Sequence, residues 1–165
     1  MNPVYILVLY IHLLGAIAWI GTIFFLRFVL VPTLNTLSPA VRGPFFLELA
    51  PRLTRFALRT AEITLAAGLV MFLLMLQTPH GNMWMGSIIL GLIGAVGVYA
   101  LGRAITIPVT MKIVETIRAI GAGTADADAP QYMQALADQQ ARVLNLQLLI
   151  AVIVVLLMTS ARWSP

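Results

Sequence analysis

The stretch 4–26, VYILVLYIHLLGAIAWIGTIFFL, contains one imidazole, His12, among residues that are apolar, aromatic or small. About 30 Å of hydrocarbon takes roughly 20 residues of α-helix to cross, and this stretch supplies them. Inside lipid a segment must satisfy its own backbone hydrogen bonds, so a helix is the form it takes. An ionisable group at that depth is costly, so it faces the protein interior and is a candidate ligand for something bound there.

Three further apolar blocks lie downstream, giving expected spans at 4–31, 56–76, 83–107 and 143–158. Hydrophobic residues make up 61% of the 165 and charged residues only 10%, where a soluble domain carries about 25% charged. The expected fold is all-α: an integral membrane four-helix bundle, one transmembrane domain over 1–165, with the lipid bilayer as its first partner. No basic residue precedes the first block, and it is too long for the core of a cleaved leader, so it reads as a retained helix. The chain has no cysteine, which excludes disulfides, thiolate metal sites and iron–sulfur clusters.

The net charge of +4 is carried in two loops rather than in a stripe, so no nucleic-acid partner is expected. Arg27, Arg42, Arg52, Arg55 and Arg59 lie between spans one and two. Arg103, Lys112, Arg118 and Arg142 lie between spans three and four, and 78–82 has neither Lys nor Arg. Positive-inside counting puts those two long loops in the cytoplasm and both termini outside, with Arg162 as the exception.

In the first of these loops Ser38 and Pro39 form an N-cap and N1 pair for a short helix. Pro44 and Pro51 divide the rest of that loop into pieces. Beyond the third span, RAITIPVTMKIVETIRAIG is amphipathic and continues the helix inward with a kink near Pro108. Gly121 to Thr124 ends it, and Asp126, Asp128 and Pro130 start the last helix. The third and fourth helices thus extend into the cytoplasm as a helical hairpin. No internal repeat stands out.

Val8, His12, Gly15, Trp19, Thr22 or Ile23, and Leu26 share one face of the first helix. A neutral imidazole can ligate iron, copper or zinc through one nitrogen while the other donates a hydrogen bond. Glycine beside it leaves room for a flat ring. The alternative is a buried histidine bonded to a backbone or hydroxyl group. Met71 and Met75, His80 in the short loop, and Met83 and Met85 gather at the same end. Thioether with imidazole suits Cu(I) or a haem iron, while methionine also fills irregular apolar gaps. Glu62 shares a helix face with Arg55 and Arg59; it is either an ion-pair partner of an arginine or a proton-relay carboxylate. Gly91, Gly94 and Gly97 nearly share a face, for close helix packing or for a macrocycle.

The run from His12 through Trp19 and Gly21 to Phe24, Phe25, Leu26 and Pro32 resembles the first helix of the copper-resistance D-type membrane proteins. It is also similar to the four-helix, haem-containing protoporphyrinogen oxidases, which share the histidine and the later Trp-x-Gly. Arg55-Phe56 and Gly68 agree loosely in the second span. The resemblance implies that His12 is a haem or metal ligand. Those oxidases carry a lysine three residues after the tryptophan that opens the third span. Here Ser87 follows Trp84, and no lysine precedes Lys112. The difference bears on the oxidase reaction and leaves haem ligation, with a different second ligand or a five-coordinate iron.

These residues support three functional readings. The first is a membrane protein of the bacterial cytoplasmic membrane that binds haem b and passes electrons to a membrane redox partner. His12, Gly15, Trp19 and His80 would form its cofactor site, and Met71, Met75 or His80 would supply the second ligand. The second is copper uptake or resistance, with Cu(I) held by His12, His80, Met71, Met75, Met83 and Met85. The third is a non-catalytic accessory subunit, or a homo-oligomer, associating through glycine-lined helices. No nucleophile–base motif, phosphate-binding glycine loop or paired carboxylates support a hydrolase or kinase.

Overall fold

The computed structural model describes residues 3–76 and 82–160, and all of its regular structure is helical. The helices are α1 (Pro3–Phe25), α2 (Val31–Thr36), α3 (Pro39–Met75), α4 (Asn82–Leu101), α5 (Ile107–Gly121) and α6 (Ala129–Ser160). A wide π-helical turn, Leu26–Leu30, joins α1 to α2, and a second, Gly102–Thr106, joins α4 to α5. Counted through these turns, four helices are long and apolar enough to cross a membrane: Pro3–Thr36, Pro39–Met75, Met83–Gly121 and Ala129–Ser160.

The exterior agrees with that reading. Leu14 is 66% exposed and Ile17 70% exposed on α1. Side chains of that size on every outward face would be unfavourable in water and are at home in lipid.

Each π turn sits just ahead of a proline, Pro32 or Pro108. A proline inside an α-helix removes one donor and its ring collides with the carbonyl four residues back. One widened turn relieves that collision and lets the helix go on. The expected kink near Pro108 is therefore a π turn, and the first helix has its counterpart.

Pro44 and Pro51 do not divide the stretch after Pro39, contrary to expectation. Ser38 is extended and Pro39 opens α3, but the helix then runs 37 residues without a break. Buried Ala50 lies on its inward face, and Arg55 Nε donates to the Pro51 carbonyl at 3.2 Å.

The α5–α6 turn obeys the expected signals closely. Gly123 has φ +69°. Its N–H reaches the Ile120 carbonyl at 3.2 Å, and the Thr124 N–H reaches that of Ala119 at 3.0 Å. This double closure at a left-handed glycine caps the otherwise unpaired carbonyls of α5. The amphipathic hairpin then buries Val109, Ile113 and Leu136, with Phe46, Ile117 and Met133 packed around them.

α1 packs along α3 and α4 along α6. Both pairs are antiparallel: Tyr5 meets Met75 while Gly15 meets Thr64, and Gly91 meets Met158 while Gly94 meets Val154. A central cluster of Trp19, Ile23, Ala61, Val98, Leu144 and Leu148 joins the two pairs. The turns at 37–38 and 122–128 lie at one end, here the turn end; Pro3 and Met75 lie at the far end.

The structure shows a repeat that the sequence alone did not. Each half is an apolar helix, a π turn with arginine second (Arg27, Arg103), a helix with proline second (Pro32, Pro108), a turn, and one long helix. Gly15 and Gly91 each stand twelve residues before that arginine and pack against the long helix of their own half. Only these few positions match, among apolar residues that substitute freely for one another, so sequence periodicity does not reveal it. The halves are parallel repeats, one known way of building membrane folds.

Candidate functional site

His12 is held by a reciprocal fit between α1 and α3. A Cβ added to Gly68 would lie 2.9 Å from His12 Cε1 and 3.0 Å from Nδ1. A Cβ added to Gly15 would lie 2.5 Å from Thr64 Oγ1. The imidazole of one helix thus fills the gap at a glycine of the other, and the threonine does the same in reverse one turn on. In lipid, close approach of backbones is a main source of helix association.

At this seam His12 Nδ1 lies 2.9 Å from the Thr64 carbonyl oxygen. A carbonyl only accepts, so Nδ1 is the donor, and in the neutral ring Nε2 keeps its lone pair. Thr64 is buried and its own hydroxyl donates to the Thr60 carbonyl at 2.6 Å. The arrangement fixes one tautomer and one ring orientation, as backbone carbonyls do for many metal-binding histidines.

The structure scatters the other expected site residues. Gly15 adjoins His12 in the seam. Trp19, two turns further on, is buried in the central cluster. Met75 Sδ, toward the far end, accepts a hydrogen bond from Tyr5 Oη at 3.6 Å. Met71 is half-buried, as is Met85, whereas Met83 is 69% exposed and turned away from the seam. His80 lies outside the described residues. Among the described residues no three or more of His, Asp and Glu come together as a metal-binding group.

Glu62 has no arginine partner among the described residues. It accepts from Tyr99 Oη at 3.1 Å, linking α3 to α4. The one ion pair among the described residues is Arg52–Glu48, 3.2 Å apart and well exposed. The reason is geometric: Arg59 and Glu62 share a broad helix face, but the phenol on α4 is nearer to the carboxylate. Gly91 and Gly94 receive Met158 and Val154 of α6, so this part of the glycine row serves helix packing.

A cavity of about 100 Å3 runs between the two halves, from Trp19 and Ala61 toward Phe46 and Gln140 at the turn end. His12 is not in its wall. One side of it is polar. Gln147, buried on α6, donates to the Val98 carbonyl at 3.1 Å and accepts from Thr106 Oγ1 at 3.3 Å. Gln140 donates to Thr110 Oγ1 at 3.2 Å, and Thr110 donates to the Thr106 carbonyl at 2.8 Å.

Sequence reasoning missed Thr64, Tyr99 and Gln147. The small pair Thr64 and Gly68, four apart on one helix, is a packing signal that was available. So was Gln147 as a lone amide in an apolar span. Comparison with family models, with curated proteins and with solved structures returned no match.

Proposed function

We propose that this chain is a membrane protein that binds a b-type haem, with His12 as an axial ligand, in a redox or electron-transfer role. The observation that carries the reading is the 2.9 Å contact from His12 Nδ1 to the Thr64 carbonyl. It presents Nε2 as a lone-pair donor in an apolar helix seam, the state an imidazole needs to bind a metal. Gly68 and Gly15 allow the fit by leaving room for the ring and for Thr64. The donor chemistry therefore fits one axial ligand.

For the second ligand Met71 is the candidate among the described residues, with His80 outside them the alternative. Met75 already accepts a hydrogen bond from Tyr5, and Met83 is turned outward. The same two facts weigh against a copper site built from the methionines. Bound haem would supply one-electron chemistry, its potential set by ligand identity and burial. The protein's own part is to hold the imidazole in one tautomer, exclude water and keep the ring orientation rigid through Thr64.

The test is the absorption spectrum of purified protein supplied with haem, oxidised and reduced, with metal analysis of the same sample. A Soret band that His12→Ala removes or shifts is the expected result, and Met71→Leu should alter the reduced α band. A spectrum unchanged in His12→Ala, or a protein that takes up no haem, overturns the reading. Bound copper without a Soret band would replace it with the copper reading.

A further inference from the structure

We infer that the cavity between the two halves is a binding site for a neutral, single-chain, lipid-soluble molecule with a hydrogen-bonding head. The inference does not rest on the haem reading, because His12 is not in the cavity wall.

Three properties of the wall select that ligand. The first is shape. Along α3 the lining extends from Phe46 to Ala61, fifteen residues, or about 22 Å of helix. An engineered cavity of roughly 150 Å3 holds a benzene ring. The closed-off volume here is only about 100 Å3 and the pocket is half-open along its length, so it admits a slim chain lying in the groove rather than an enclosed ring.

The second is charge. None of the residues lining the cavity is Asp, Glu, Lys, Arg or His. An ionised head would have to shed its hydration with no counter-charge to receive it, which is strongly unfavourable in a low-dielectric setting. The ligand is therefore neutral.

The third is the placement of unused hydrogen-bonding atoms. Most polar groups in the wall are already engaged. Thr22 donates to the Ala18 carbonyl, and Thr106, Thr110 and Gln147 bond one another or the backbone. Three are not, among the described residues: the Thr54 hydroxyl, the amide oxygen of Gln140, whose nitrogen holds Thr110, and the indole N–H of Trp19 at the inner end. Thr54 and Gln140 lie toward the turn end, one a donor and acceptor, the other an acceptor. A hydroxyl head matches that pair, and its chain would run inward past Ala57 to Trp19.

Trp19 provides the readout, since it lines the inner end of the cavity and is only 7% exposed. Bromine on a chain quenches tryptophan on contact, and lipid outside the protein cannot reach a ring so buried. The experiment uses full-length protein with Trp84→Phe and Trp163→Phe, titrated in lipid nanodiscs with a monoacylglycerol dibrominated near its chain end. The expected result is saturable quenching at low mole fraction. Ala57→Phe, which fills the channel, should remove the saturable part. Thr54→Val, which changes no volume, should weaken it about fivefold, the scale of one hydrogen bond. The dibrominated fatty-acid anion should bind at least tenfold more weakly. Quenching that rises linearly and equally in the parent and in both variants overturns the proposal. So does equal binding of the anion.

Discussion

At the scale of single residues, the α1–α3 seam makes sharp demands. Gly68→Ala brings a methyl group to about 3 Å from the imidazole ring. The ring must move, and its bond to Thr64 is lost. The expected cost is about 1–3 kcal/mol, typical of overpacking, read as a lower unfolding midpoint in detergent. If haem is bound, the Soret band should shift in the same variant. Gly15→Ala should destabilise for a different reason, since its methyl meets the Thr64 hydroxyl. Adding Thr64→Ala removes that hydroxyl and should restore part of the loss. A positive coupling in this double-mutant cycle identifies the contact, whereas simple additivity argues against it. His12 was legible in the sequence because it is a lone imidazole in an apolar run. Its partner was not, because a backbone carbonyl carries no sequence signature. Glu62 misled for a related reason. Spacing along one helix suggested arginine, but the actual partner, Tyr99, comes from a helix 37 residues further on.

At the scale of elements, the two π turns and the long α3 mark the limits of reading local signals. The proline after each π turn is visible in sequence, and so is the amphipathic pattern that continues past it. How the helix absorbs the proline is decided by packing. On the α4 side, Gln147 reaches across from α6 to the Val98 carbonyl, one turn before the widening starts. Gln147→Leu removes the side-chain bond to that carbonyl and the acceptor of the Thr106 hydroxyl. About 1–2 kcal/mol of stability should be lost, with faster amide exchange centred on 102–106. Unchanged exchange there would mean the amide plays no part in holding the turn. The α5–α6 turn was legible to the residue, since Gly123 must be left-handed and few other residues accept that. Pro44 and Pro51 show the reverse case, where residues that break isolated helices are tolerated in one anchored along its length.

At the scale of the whole molecule, hydropathy alone was enough to count the four long apolar helices; the extension of the last two was legible too, whereas the first two run further at the turn end than expected, to Thr36 and from Pro39. The absence of cysteine makes the chain a ready background for labelling. Ser38→Cys and Thr124→Cys, in the two turns, should react with a membrane-impermeant maleimide from the same side. Met83→Cys, exposed at the far end, should react from the opposite side. Reaction of Ser38→Cys and Thr124→Cys from opposite faces would contradict this arrangement of helices. The repeat was the least legible property, because its markers are two glycines, two arginines and two prolines spread from position 15 to position 108.

That repeat has a consequence for how the molecule could be made. Each half pairs its own helices through its own glycine, Gly15 on Thr64 or Gly91 on Met158. The contacts between halves are made elsewhere, by the cluster around Trp19 and Leu144, by Phe46 against the α5–α6 hairpin and by Tyr99 on Glu62. A gene cut within the codons for 77–81 would then encode two polypeptides, each able to insert and fold as a hairpin before meeting the other. Co-expressed, they should co-purify through an affinity tag on one alone. Ala61→Leu, which crowds the shared cluster, should abolish their recovery as a pair while leaving each hairpin intact in the membrane.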